Sequence, residues 1–338
     1  MTALPDPQTL CRSIAATLHA ALAPLAAGRP RYGLLDYPSH WNIGDSAIWA
    51  GEAVLLRRLH GRGPDHVSHV RYAPDRPGRH LPEDRLIYLH GGGNFGDVWP
   101  AYQTYREAVL AHHPRHRIVQ LPQSIHYRDP AAIERSKRAI GAHRDFHLMV
   151  RDHESHAFAT RHFDCPVILA PDSAFCLVAD HRPAPATTPR GVVALLRDDH
   201  EQRPDAAAGR AALLAAGAVA EDWNRHSALR RKAEKLVLGG AMVAPGAPLA
   251  RLWAQMFDRM AMARVTLGLT QIDRAEIVVT DRLHGHILSS LLGKPHVVID
   301  NFYGKTSRFI AAWGQDDRTH VARDYAEARA LLDQMPRG

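Results

Sequence analysis

The sequence predicts an α/β protein built as two parallel-sheet domains that face each other across a cleft. Three observations carry that expectation. Short β-branched runs alternate with helical apolar spacing along most of the chain, as strand–helix units require. Charged or glycine-rich turns recur directly after the strands, where open α/β sheets hold their ligands. A Pro-, Ala- and Thr-rich stretch, Ala179 to Arg190, splits the pattern and reads as a linker between residues 1–180 and 190–338. Each half is then Rossmann-like, and 338 residues are enough for two such units.

In chain order, Leu10 to Gly28 is an Ala- and Leu-rich stretch interrupted by Arg12, His19 and Pro24. It reads as an amphipathic helix rather than a signal peptide or a span, since spanning takes roughly twenty uninterrupted apolar residues. Tyr32 to Asp36 is a first strand, followed by a polar loop and a helix over Ser46 to Leu59. Asn42, Gly44 and Asp45 could form an anion- or hydroxyl-binding turn there, and Asp45 could equally cap the helix. Strand Leu86 to Leu89 opens into a loop, His90 to Asp97, containing Gly91, Gly92 and Gly93. Three glycines let a backbone approach a ligand closely. The spacing is neither that of a Walker loop nor that of a dinucleotide fingerprint. Asn94 and Asp97 are the hydrogen-bonding groups of this loop, ahead of a helix from Pro100 to His112.

Arg117 to Leu121 is the next strand, followed by a helix over Pro130 to His143 and a strand over His147 to Val150. Arg151 follows that strand as an anion-ligand candidate, with pairing to Asp152 or Glu154 as the alternative. Val167 to Ala170 is a strand ending in Pro171-Asp172-Ser173-Ala174. In the second half, Gly191 to Leu196 is a strand, and 205–240 is Ala- and charge-rich and mostly helical. Leu249 to Leu269 is a long helix whose methionines suit a core. Ile277 to Val279 is a buried strand, Asp281 to Gly285 a turn dense in ionisable groups, and His286 to Leu292 a helix stopped by Gly293 and Pro295. His296 to Asp300 completes that unit. Arg282 and His284 thus fall beside a helix N-terminus, a favourable place for an anion. A bland reading leaves Arg282 paired with Asp281 and His284 as an ordinary first-turn residue.

A net charge of +7 suits anionic ligands or an anionic membrane surface, and also serves solubility. No basic run is interleaved with aromatics, so nucleic acid is not expected. Cys11, Cys165 and Cys176 form no ligand spacing and no disulfide framework, which fits a reducing cytosol. The 23 histidines are scattered without an HExxH pair, so no metal is expected.

Six ordered segments resemble the polysaccharide pyruvyl transferase family, in particular its EpsO-like exopolysaccharide members. They are DYPSHWNIGD (36–45), GGGNFGDVWPAYQTYRE (91–107), QLPQSIHY (120–127), VRDHES (150–155), APDSAF (170–175) and DRLHGHILSSLLGKPHVVIDNFYGK (281–305). They cover most of the chain outside roughly 200–250. The resemblance implies a fold like that of GT-B glycosyltransferases. It also implies transfer of a pyruvyl group from phosphoenolpyruvate to a sugar of an exopolysaccharide precursor as a ketal, with phosphate released. No cofactor is then expected, phosphoenolpyruvate being the donor substrate. The family's donor-holding Arg-Leu-His maps onto Arg282, Leu283 and His284, and its upstream Arg onto Arg151. The stretch around 200–250 carries no matching motif.

Chemistry agrees with that assignment. Phosphoenolpyruvate carries two anionic groups on three carbons, which planar guanidinium forks suit. Protonating its methylene carbon needs a group that exchanges protons near neutrality, and His284 fits. Lys305 and Arg308 are further phosphate candidates. The turn at Asn42 and the loop of Gly92, Gly93 and Asn94 would face the acceptor, with Asp45 or Asp97 as the base on its hydroxyl. A carrier-linked acceptor would place a cytoplasmic enzyme at the inner membrane face, which the basic surface and the Leu10 to Gly28 helix permit. The rival readings are a nucleotide-sugar glycosyltransferase on the same architecture and a non-catalytic subunit of a polysaccharide-assembly complex.

Overall fold

The structure, a computed structural model, describes residues 4–70, 81–179, 189, 191–197, 202–221, 223, 228–243, 247–300 and 304–335. Helix α1 (Pro7–Ala26) starts at Asp6, whose carboxylate accepts the N–H groups of Gln8 and Thr9. Its apolar stripe of Cys11, Ile14, Leu18 and Leu22 is fully buried in the protein. The helix is amphipathic as expected, but its apolar face is engaged inside the fold and is not offered to a membrane.

Strand β1 (Tyr32–Leu35), helix α2 (Ile43–His60), β2 (His66–Val67), β3 (Leu86–Leu89), β4 (Gly92–Gly96), α3 (Pro100–His112), β5 (Ile118–His126), α4 (Pro130–Gly141), β6 (Phe146–Val150), α5 (His153–His162) and β7 (Val167–Leu169) make the first unit. Its strands run β2-β1-β3-β5-β6-β7, and every pairing is parallel. β1 and β3 are buried along their whole length, as short apolar and aromatic runs covered on both faces should be.

A 3₁₀ turn, Ser173–Ala179, leads away from that sheet. The expected linker falls mostly on 180–188 and 190, outside the described residues. Then come β8 (Val192–Leu195), α6 (Ala206–Ala215), β9 (Val219–Ala220), α7 (Ala228–Val243), α8 (Ala247–Asp273), β10 (Ile277–Thr280), α9 (Leu283–Leu292), β11 (His296–Ile299), α10 (Lys305–Trp313), β12 (Thr319–Ala322) and α11 (Tyr325–Gln334). Their strands form a second parallel sheet, β12-β11-β10-β8-β9. No helix among the described residues is long and apolar enough to cross a membrane.

Two local outcomes differ from the sequence reading. The triple-glycine segment is a strand rather than a loop, because β5 outruns its neighbour β3 and leaves its distal half open to pair with β4. Pro122, which has no N–H to give, sits where the β5–β6 register shifts between Gln120 and Gln123. Helix α9 begins at Leu283, with Arg282 as its N-cap, so His284 lies within the first turn. The two sheets also share one core. Leu18 of α1, Trp49 of α2, Leu195 of β8, Phe257 and Val265 of α8 and Ile287 of α9 belong to a single continuous apolar cluster.

Candidate active site

The carboxyl ends of strands from both sheets open onto one cavity of about 510 Å³. His40, Trp41, Asn42 and Asp45 reach it after β1, Gly93, Asn94, Trp99 and Tyr102 from the glycine segment and α3, and Arg151 after β6. From the other sheet come Arg197 after β8 and Arg282, Leu283 and His284 after β10, with Trp223 and Arg231 beside them.

The β10–α9 turn is tightly specified. Thr280 donates its hydroxyl to the Leu195 carbonyl at 2.8 Å and accepts the Arg282 N–H at 3.1 Å. A Cβ on Gly285 would lie 2.2 Å from that hydroxyl oxygen, so only glycine lets α9 start so close to β10. Asp281 accepts the Arg197 N–H at 2.8 Å and the Tyr325 hydroxyl at 3.1 Å. It ties the turn to β8 and α11, and burial raises its carboxyl above the ordinary range.

Arg151, Asp172 and His284 meet at the cavity wall. Arg151, 2% exposed, binds Asp172 through Nη1 and donates Nε–H to Ser124 at 2.9 Å. Asp172, 1% exposed, also accepts the Ala174 N–H at 2.9 Å and stands 3.4 Å from His284 Nε2. Burial pushes the Asp172 carboxyl up, but His284 and Arg151 together outweigh it and hold it far below the usual range. Asp172 is therefore a fixed anion between the two residues that sequence reasoning singled out. Its place after β7, in the APDSAF segment, was the signal that could have assigned it.

The opposite edge of His284 is closed by Gly44. A Cβ there would sit 2.5 Å from Nδ1 and 2.8 Å from Cγ of the ring. Gly44→Ala should therefore leave helix α2 intact, since alanine suits a helix, while displacing the imidazole. Activity is expected to fall on the order of a hundredfold with unchanged thermal unfolding. Wild-type turnover in this variant would show that the ring position is not critical.

Asp45 lies on the same wall, 3.5 Å from His40 Nε2. Burial raises its carboxyl, but His40 and His284, with His90 and Arg151 behind them, lower it further, and it stays below its ordinary value. Asn42 caps α2, accepting the Gly44 N–H at 2.8 Å. The carbonyl oxygen of Asn94 is held by Arg106 at 3.0 Å and Gln123 at 2.9 Å, which leaves its amide N–H groups to offer a ligand. Gly92, at φ 127°, packs over Ile48 beside Asp45. Beneath the segment, buried Glu52 accepts the Gly91 N–H at 2.8 Å and pairs with His90 at 2.7 Å, fixing the backbone that borders the cavity.

Of the residues expected at the site, Gly92 stops short of the cavity lining, and Asp97 and Arg308 lie away from it. Asp97 accepts the backbone N–H groups of Arg128 and Asp129 at 2.8 and 2.6 Å, clamping the start of α4, so its carboxylate is not placed to meet an acceptor hydroxyl. Arg308 pairs with Glu154 at 2.7 Å on the surface between α10 and α5. The Lys305 side chain lies outside the described residues. His40, Trp41, Trp99, Tyr102, Trp223 and Arg231 complete the wall. The first four lie in the 36–45 and 91–107 segments without having been singled out, and Trp223 and Arg231 fall in the stretch that matched no motif. Among the described residues, no three metal-binding side chains converge.

A family model described as polysaccharide pyruvyl transferase matches residues 42–301. The chain is 33% identical over 291 residues to EpsO of Bacillus subtilis (strain 168), whose name carries a provisional pyruvyl transferase assignment, covering 82% of this chain and 84% of that one. It is 31% identical over 300 residues to Pyruvyl transferase 1 of Schizosaccharomyces pombe (strain 972 / ATCC 24843), covering 85% and 70%. A crystal structure of an uncharacterised Klebsiella pneumoniae protein has the same fold, with a TM-score of 0.59 at 16% identity over 91% of this chain and 99% of that one.

Proposed function

The chain belongs to the polysaccharide pyruvyl transferase family, and from that premise we propose that it transfers the pyruvyl group of phosphoenolpyruvate to a sugar of an exopolysaccharide precursor. The product is a ketal, and phosphate leaves. One observation carries this reading: Arg282, Leu283 and His284, at the N-terminus of α9, share a cavity wall with Arg151. A helix N-terminus flanked by guanidinium groups suits a small dianion. Arg282 would grip the donor. Arg151, whose Nε and Nη1 are engaged, would contribute Nη2 and otherwise act by holding Asp172.

His284 then delivers a proton to the methylene carbon, and the positive charge that develops at C2 is shared with its oxygen substituent. The first sugar hydroxyl adds at C2, phosphate departs, and the second hydroxyl closes the ring. One hydroxyl proton is accounted for by the new methyl group and the other leaves with phosphate. Asp45, whose carboxyl stays below its ordinary value on the wall it shares with His284, would take a hydroxyl proton, and Asp97 drops out of that role. Asn42, Gly93, Asn94 and the aromatic rings would receive the acceptor. The reading sets the reaction in the cytoplasm, on a carrier-linked sugar.

Incubation with phosphoenolpyruvate and a panel of carrier-linked sugars tests it, scoring phosphate release and a pyruvate-sized mass gain. Nucleotide release from a nucleotide sugar, with no phosphate from phosphoenolpyruvate, would overturn it in favour of glycosyl transfer. Trp99, 41% exposed at the cavity rim, offers a face for a sugar to stack on. Trp99→Ala should raise the acceptor KM roughly tenfold and leave the phosphoenolpyruvate KM unchanged. A matched rise in both would remove Trp99 from the acceptor side.

A further inference from the structure

We propose that the hairpin of α7 and α8 is the surface by which this protein docks on an anionic membrane leaflet. Between residues 228 and 262 the sequence carries Arg230, Arg231, Lys232, Lys235, Arg251 and Arg259 against only two acids, Glu234 and Asp258. Both acids are buried and matched from within. Glu234 binds Arg264 and Arg230, and Asp258 binds Arg57 and accepts the Trp49 indole N–H at 2.9 Å. The remaining cations therefore face solvent with no carboxylate of their own helices among them: Lys232 and Lys235 on α7, and Arg251 and Arg259 on α8, are all exposed.

Leucines are set among these cations. Leu236 is 77% exposed, Leu252 46% and Leu249 38%, so each leaves apolar surface in water that the fold does not cover. The two helices pack closely where a Cβ on Gly240 would stand 2.8 Å from the Trp253 ring. Ala241 of α7 and Ala254 and Phe257 of α8 enter the same core cluster, so the exposed sides of both helices look away from it. Arg251 also borders a depression of about 460 Å³ with Arg57 and Arg62, which are themselves paired with Asp258 and Asp65. Cations around protruding leucines, without exposed acids, match an interface of lipid phosphates over acyl chains, where each Lys or Arg adds to the attraction and the leucines enter the headgroup boundary.

The hairpin also reaches the cavity. Arg231, in the same α7 turn as Lys232, lines it and lies 5.5 Å over the Trp41 ring. A docked hairpin would bring the cavity mouth to the leaflet where a lipid-linked acceptor is presented. That consequence rests on the acceptor reading above, whereas the docking itself does not.

The test is co-sedimentation of the full chain with vesicles of phosphatidylcholine alone or mixed with phosphatidylglycerol, at low and high salt. The protein is expected to bind only the mixed vesicles, and less in high salt. Lys232→Glu/Lys235→Glu should weaken that binding by about tenfold or more. Leu236→Ser/Leu252→Ser should weaken it severalfold with an unchanged salt dependence. Thermal unfolding and turnover on a water-soluble sugar acceptor should match wild type in both variants, because these positions are exposed and outside the cavity. Wild-type binding by the double glutamate variant would overturn the proposal. So would failure of the wild type to bind mixed vesicles, a result that would turn the surface over to an acidic polypeptide. Loss of turnover with vesicle binding intact would count against the reaction and leave the docking standing.

Discussion

His284→Gln is expected to lower pyruvyl transfer roughly 10²- to 10⁴-fold while the protein stays folded. Glutamine fills much of the same space between Gly44 and Asp172 but exchanges no proton near neutrality. The ring sits in the first turn of α9, 14% exposed, with Asp172 3.4 Å from Nε2 and the Gly44 backbone against Nδ1. Those two neighbours fix its plane, so the loss should appear in kcat more than in the phosphoenolpyruvate KM, which Arg282 would continue to set. Single-turnover phosphate release separates the two parameters. Near-wild-type kcat in this variant would remove the imidazole from the proton path.

Asp172→Ala should cost about 3–5 kcal/mol of stability, because it strands the Arg151 guanidinium in a buried site without its anion. Chemical denaturation at neutral pH reads this directly. Asp172→Asn adds a pH test whose sign is fixed by the direction of the shift. The folded carboxyl lies below its unfolded value of about 3.9, so its contribution is complete above that value and is lost as pH falls through the lower folded one. The stability gap between wild type and Asp172→Asn should thus close in acid, as pH falls below about 4. A gap that stayed unchanged down to about pH 2 would show that the folded carboxyl is not held low.

Most of the alternation of strands and helices was legible because buried parallel strands are short apolar runs. Leu86–Leu89 and Pro100–His112 match the sequence reading residue for residue, and β10 and β11 match within one residue. The glycine segment misled, since pairing with the overhang of β5 depends on a length difference between two strands far apart in sequence. β12 is only Thr319–Ala322 and escaped notice because its polar residues are covered by tertiary packing. Arg282 and His284 were visible through their position after a strand. Asp172 was visible only as an acid after another strand, because its role comes from two partners on separate sheets. Asp97 lies beside the same glycines, but its carboxylate accepts the N–H groups at the start of α4, a use that such a position serves as readily as ligand binding. The amphipathic stretch of α1 permitted a membrane contact and its apolar face is instead internal, while the exposed leucines of α7 and α8 lie in or just beyond the stretch that matched no motif.

The apolar cluster that runs from α1 and α2 through α8 to α9 bears on how ligands get in. Lobes joined by a thin polar seam swing about a hinge by default, but a broad oily joint resists such motion. Here the joint is the core itself, so a swing of one sheet against the other would have to tear that core open. Side chains at the cavity rim, such as Trp99 and Arg231, meet an incoming ligand without that cost.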